Sequence, residues 1–192
     1  SAAATAAVAL TVTLPPPGPQ TNYAGGTYAQ NFDTLPSAGT FTFAATGPYA
    51  LDAAAPNGVG ATGLPGWSFA KASGSGSVAL FKFDNGASNS GGTNSYGTTA
   101  AADRSLGSLG SGTFAPRFGI AFVNTTGQTL TTFTLGYTGE QWRRGSATAN
   151  KLSFSYATGA TNLNVGTFTA ATALDFTAPN TTGSGVTLDG NL

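Results

Sequence analysis

The chain has 192 residues, 40% of them hydrophobic, with seven basic and seven acidic side chains and no His, Cys or Met. Seven cations scattered along the chain leave no basic patch, which excludes nucleic-acid binding by phosphate neutralisation. No run approaches the roughly 18 apolar residues of a membrane helix, and 13 Phe, 6 Tyr and 2 Trp set the chain apart from disordered sequences.

In chain order, residues 1–14 form an Ala-rich arm in which Val8, Leu10, Val12 and Leu14 alternate with Ala and Thr, the period of a half-buried strand. Residues 15–20 are a spacer opening Pro15-Pro16-Pro17-Gly18-Pro19, extended, stiff and unable to join a ladder. Residues 21–192 are the body. Short β-prone runs bounded by Gly, Asn, Ser and Pro predict strands at 27–32, 40–44, 67–70, 78–83, 117–124, 129–137, 151–156, 164–168 and 174–177. Phe41 and Phe43, Phe81 and Phe83, and Leu152, Phe154 and Tyr156 alternate with other residues, as antiparallel strands with one buried face do. The stretch 84–109, rich in Asn, Ser and Gly, reads as a long surface loop. No helical period is present. The predicted fold is all-β, an antiparallel sandwich of jelly-roll type with an extra N-terminal strand.

The missing residues restrict the chemistry. Without His and Cys the usual general base, the thiol nucleophile and the commonest transition-metal ligands are gone. The seven carboxylates are Asp33, Asp52, Asp84, Asp103, Glu140, Asp175 and Asp189. Any two of them could face each other in the fold as a glycosidase needs, but the single Glu and the sparse charge speak against it, and no catalytic, cofactor or metal residue is assigned. Asp84-Asn85-Gly86 and Asp189-Gly190-Asn191 have oxygen-rich turn chemistry, read either as Asx turns or as calcium ligands. The densest polar string is Thr138-Gly139-Glu140-Gln141-Trp142-Arg143-Arg144. One reading puts Trp142 in the core with Glu140 and an Arg paired at a strand end, joined by Asp103 and Arg104, as a structural polar cluster including Arg143. The other makes Trp142 a stacking platform for a sugar. Asn124-Thr125-Thr126 and Asn180-Thr181-Thr182 are sequons, placing possible glycosylation at Asn124 and Asn180.

Several strings together resemble a recurring bacterial domain of secreted and cell-surface proteins, often large ones with sorting anchors or extracellular nuclease partners. They are Tyr28-Ala29-Gln30-Asn31-Phe32-Asp33-Thr34-Leu35-Pro36, Leu64-Pro65-Gly66-Trp67, Ser95-Tyr96-Gly97, Asp103-Arg104-Ser105-Leu106-Gly107, Phe118-Gly119-Ile120-Ala121-Phe122-Val123-Asn124, Tyr137-Thr138-Gly139-Glu140-Gln141-Trp142-Arg143 and Leu188-Asp189-Gly190-Asn191. The Tyr-Thr-Gly-Glu-Gln-Trp-Arg string is the most specific. The resemblance implies a jelly-roll sandwich with no catalytic residues to carry over, and a role in adhesion, surface structure or glycan contact. In such domains further strands usually follow the Leu-Asp-Gly-Asn string, so a body ending at Leu192 is expected to lack one or two of them.

The resulting expectation is a non-catalytic extracellular protein, not an enzyme and without cofactors, most simply a subunit of a surface filament or layer. Its partners would be copies of itself, joined when 8–14 of one copy completes the sandwich of the next. The alternatives are a carbohydrate-binding or adhesive module, with Trp67 or Trp142 on an open face and glycans as partners, and an accessory domain of a larger secreted enzyme. The arm could also fold back onto its own body. A start at Ser1-Ala2-Ala3-Ala4 is what leader removal leaves, and equally what any other cut would leave.

Overall fold

The computed structural model describes residues 18–145 and 149–192. The arm, with Val8, Leu10, Val12 and Leu14, and the start of the spacer lie outside the described residues.

Among the described residues, nine strands occupy the first two thirds: β1 (Thr21–Tyr23), β2 (Thr40–Phe43), β3 (Tyr49–Ala50), β4 (Trp67–Ser73), β5 (Ala79–Asp84), β6 (Gly92–Tyr96), β7 (Ser105–Leu109), β8 (Ala115–Ile120) and β9 (Phe122–Asn124). Six two-residue strands follow: β10 (Arg143–Arg144), β11 (Lys151–Leu152), β12 (Ser155–Tyr156), β13 (Thr169–Ala170), β14 (Phe176–Thr177) and β15 (Val186–Thr187). One 3-10 turn, Thr172–Leu174, is the only helical element among the described residues. No described helix is long and apolar enough to cross a membrane.

The fold is an all-β sandwich. A four-stranded sheet in the order β2-β5-β6-β7 faces a three-stranded sheet in the order β3-β4-β8. The register of β2 on β5 sets Phe41 opposite Phe81 and Phe43 opposite Ala79, so the alternating Phe side chains converge on one face. Phe69 of β4 meets them from the other sheet, 5.3 Å from Phe43 and 5.2 Å from Phe81 between ring centroids. Leu51 and Leu64 close the core. Each buried ring contributes roughly 1.5–3 kcal/mol, and edge contacts between rings add about 0.5–1.5 kcal/mol. The outer face of β4 and β8 is also covered. Arg117 lies 5.2 Å over the Phe168 ring and donates to the Leu163 carbonyl.

Among the described residues two strand pairings are parallel, β5 with β6 and β1 with β9, which alternation within single strands could not foretell. The predicted loop at 84–109 instead holds two strands, the interior strand β6 and the edge strand β7. Every residue of β6, Gly92-Thr93-Asn94-Ser95-Tyr96, is buried. That strand carries no aliphatic side chain, so a search for apolar alternation passes over it.

Other expected strands are absent or broken. At 27–32 side chains capture the backbone: Gln30 Oε1 accepts from the Asn31 and Phe32 amides, and Asn31 Oδ1 from the Asp33 amide. Phe32 takes a φ of 67°, outside strand geometry. At 164–168 an Asx turn, with Asn164 donating to Asn162 Oδ1, replaces a ladder. The run 151–156 splits into β11 and β12 because Phe154 donates its amide to Asp175 Oδ1 at 2.8 Å, a side chain standing in for a ladder bond. Leu152 and Tyr156 are exposed there, so the alternation of that run does not mark a buried face. The run 129–137 forms no strand.

Candidate functional site in a polar seam and an apolar edge

The central strand β6 organises the predicted polar cluster. Successive residues of a strand point to opposite faces, and Ser95 and Tyr96 carry two separate arrangements. The parallel register pairs Lys82 with Asn94 and Asp84 with Tyr96, which puts these four side chains on the face away from the Phe core. All four are buried.

Trp142 caps this polar face. It is 4% exposed, and its ring stacks on Tyr96 at 6.1 Å with 5° between the planes. Its indole N–H donates to Glu140 Oε2 at 2.8 Å and to Ser105 Oγ at 3.0 Å. The Glu140 carboxylate therefore takes the indole, and no Arg pairs with it among the described residues. The backbone holds the ring in place: Leu188 donates to the Trp142 carbonyl, and Arg143 donates to the carbonyls of Gly86 and Ala87. Lys82 Nζ reaches Ser88 Oγ at 2.9 Å and the Ser90 carbonyl at 2.7 Å, pinning the β5–β6 connection over the same face. Its separation from Asp84 is 4.0 Å, the outer limit of an ion pair.

Arg104 belongs to the other face. It lies 4.8 Å over the Phe83 ring and donates to Ser95 Oγ at 3.0 Å and to the Ser95 carbonyl. Asp33 Oδ1 accepts its backbone amide. Asp103 is exposed. The expected single network is therefore two, divided by β6, with Arg104 on one side and Glu140, Trp142 and Arg143 on the other.

Two consequences are measurable. Gly86 has φ of +87°, and a Cβ there would lie 1.8 Å from the Trp142 carbonyl oxygen. Gly86→Ala should cost about 2–3 kcal/mol, the left-handed penalty of roughly 1–2 kcal/mol plus a backbone shift. Urea titration of the variant checks this.

The second concerns pH. Burial pushes the Tyr96 phenol up to about 12, aided by the nearby Asp84 charge and opposed by the Asn94 hydrogen bond. The folded value lies above the unfolded value of about 10. This contribution is therefore complete below about pH 10 and lost as pH rises through about 12, a change of roughly 2–3 kcal/mol. Burial lowers the Lys82 pKa, so the cost of its charge is instead relieved as pH rises. Tyr96→Phe should flatten the alkaline loss of stability, read as urea midpoints measured stepwise in pH.

Both oxygen-rich turns are Asx turns. Asp84 Oδ1 accepts from the Gly86 amide at 2.7 Å, and Asp189 Oδ1 from the Asn191 amide at 3.1 Å. Asp84 Oδ2 is buried without a hydrogen-bond partner among the described residues. No group of three or more acidic side chains gathers around a common point among the described residues. Asn124 and Asn180 are both exposed. The Asn124 amide is engaged locally, accepting from Thr126 Oγ1 at 2.7 Å and donating to the Gln128 carbonyl at 2.7 Å.

Sequence reasoning missed a second feature, at the opposite end of the polarity scale. Among the described residues, the exposed large hydrophobic side chains are Tyr28, Leu130, Phe133, Tyr137, Leu152, Tyr156, Val165, Val186 and Leu192, all but the first at 130 or later. The signal was present in the alternation of 129–137, but alternation says that a face is apolar and not whether anything covers it. Neither Trp offers an open platform: Trp67 is half-buried, edge-on to Phe32 at 4.7 Å, with its N–H given to Tyr28. Comparison with known protein families, with curated proteins and with solved structures found no match to this chain.

Proposed function

We propose that this chain is a non-catalytic structural subunit that polymerises outside the cell, residues 8–14 of one copy completing the sandwich of the next. The observation that carries this reading is the uneven division of burial. Among the described residues, the buried hydrophobic ones run from Leu35 to Phe114 with Trp142 alone beyond, whereas nearly all the exposed large ones lie at 130 or later. The later strands are two-residue pairs, too short to bury much. An apolar half without a cover is what strand addition would complete. The arm supplies a matching chemistry, four aliphatic side chains on one face and no charge.

The extracellular setting rests on the charge-poor surface, which suits assembled material better than a freely diffusing protein. The lack of catalysis rests on the absence of His and Cys. A glycan-binding role draws less support, because Trp142 is buried, Trp67 is half-buried against Phe32, and the most exposed rings are Tyr and Phe. Electron microscopy and solution mass of the native protein test the proposal. Long polymers are expected; discrete monomers at high concentration, with 8–14 paired inside their own chain, would overturn it.

A further inference from the structure

The strand-donation reading leaves the receiving element unnamed, and resting on that reading we propose that residues 129–137 are the acceptor for residues 8–14 of a neighbouring copy. Four observations converge on this segment.

The first is its unused backbone. Thr129-Leu130-Thr131-Thr132-Phe133-Thr134-Leu135-Gly136-Tyr137 is rich in β-branched and aromatic residues. Yet from Thr129 to Gln141 no backbone group bonds to another backbone group among the described residues. The second is position. Phe133 rests against Phe122 at 6.1 Å, Tyr137 donates its hydroxyl to the Leu174 carbonyl, and Gln141 exchanges hydrogen bonds with the Asn180 backbone in both directions. The segment is therefore held in place while its backbone forms no ladder with any other described residue, so a guest strand would meet a preorganised host. Phe133 is 62% exposed.

The third is the lack of protection. Free edges in β proteins are normally blunted with charge or proline, and 129–137 contains neither. The fourth concerns the occupant. The arm is also uncharged, and 8–14 is shorter than the acceptor, so it fits within it. Prolines 15–17 would end the added ladder. Gly18 fixes where the spacer joins the body: its amide donates to the Thr161 carbonyl at 2.8 Å. The three prolines between the arm and Gly18 would then span roughly 9 Å in polyproline geometry.

The absence of native Cys makes a mapping experiment direct. One preparation carries Thr13→Cys. Others carry Thr129→Cys, Thr131→Cys, Thr132→Cys or Thr134→Cys, all at exposed positions, and a control carries Ser75→Cys in the β4–β5 turn. Donor and acceptor preparations are mixed, assembled and oxidised, and disulfides are identified by mass spectrometry. A mixed disulfide with acceptor positions of one alternation is expected, roughly a hundredfold above the Ser75→Cys control, as for thiols held at high effective concentration. Polymers whose donor cross-links no better to 129–134 than to the control would overturn the acceptor and leave strand donation standing. Dimers joined acceptor to acceptor would overturn it in favour of edge-to-edge pairing. Closure within one chain, seen as a bridged monomer of the Thr13→Cys/Thr132→Cys double variant, would overturn it in favour of a folded-back arm. A wild-type protein that does not polymerise would instead sink the functional reading itself.

Discussion

Removal of residues 1–14 is expected to leave a folded monomer where the full chain assembles. Among the described residues the body has its own core, built around Phe43, Phe69 and Phe81, so the loss should fall on association and not on folding. Burying Val8, Leu10, Val12 and Leu14 is worth roughly 6–10 kcal/mol before ordering costs, and ladder bonds add to this. Association itself costs several kcal/mol, so the net effect of the arm should be a shift of several decades in the concentration needed for assembly. A head-to-tail contact of this kind does not close on itself and extends into fibres. Sedimentation and electron microscopy of the truncated and full chains check the expectation. A peptide of residues 1–17 added to the truncated body should bind it without restoring polymers, because the peptide has no body to pass the contact on. Polymers formed equally well by the truncated chain would remove the arm from the mechanism.

Trp142→Ala is the point substitution expected to do most damage, about 3–5 kcal/mol, as large-to-small aromatic changes do in cores. The variant loses the stack on Tyr96 and withdraws the donor shared by Glu140 and Ser105. It also empties the space against Gly190, where a Cβ would lie 2.5 Å from the indole nitrogen. In a domain of this size the melting temperature should fall by roughly 6–20 °C. Trp142→Phe is the milder change: it keeps a ring over Tyr96 but loses the N–H and part of the indole's bulk, for about 1–3 kcal/mol. Calorimetry and denaturant titration give both values. A Trp142→Ala protein that melts like the wild type but no longer binds a glycan would make the residue a sugar platform.

The parts of this fold that could be read from the sequence are those where burial is apolar. Phe41 and Phe43 mark β2, Phe81 and Phe83 mark β5, and Trp67 and Phe69 mark β4, because ring alternation reports a face directed into a core. Strand β6 escaped because its buried side chains are Thr, Asn and Ser, satisfied or left over within a polar seam that no hydrophobic pattern records. Missing it meant missing the partition of the polar cluster. Arg104 and Trp142 look like members of one network until Ser95 and Tyr96 are seen to point to opposite faces of a strand between them. The partner of Glu140 was equally hidden, since a lone carboxylate near two Arg residues suggests an ion pair and an indole two positions away is easily overlooked. At 27–32 the composition favours a strand, but Gln30 and Asn31 cap their own backbone, a competition local propensity does not weigh.

The short ladder between β1 and β9 has a mechanical meaning. Thr21 pairs with Phe122 and Tyr23 with Asn124 in parallel, and β1 is the first strand the spacer reaches. Tension applied to the arm of a subunit would be delivered to β1 along its own axis. Its hydrogen bonds lie across that direction, so the ladder is loaded in shear and its bonds share the pull, where an unzipping geometry would break them one by one. The Gly18 contact with Thr161 stands ahead of β1 on the same tether. A pulling experiment on a single body held through its arm should therefore release the Gly18 contact first and then rupture β1, with the Phe core behind it still intact.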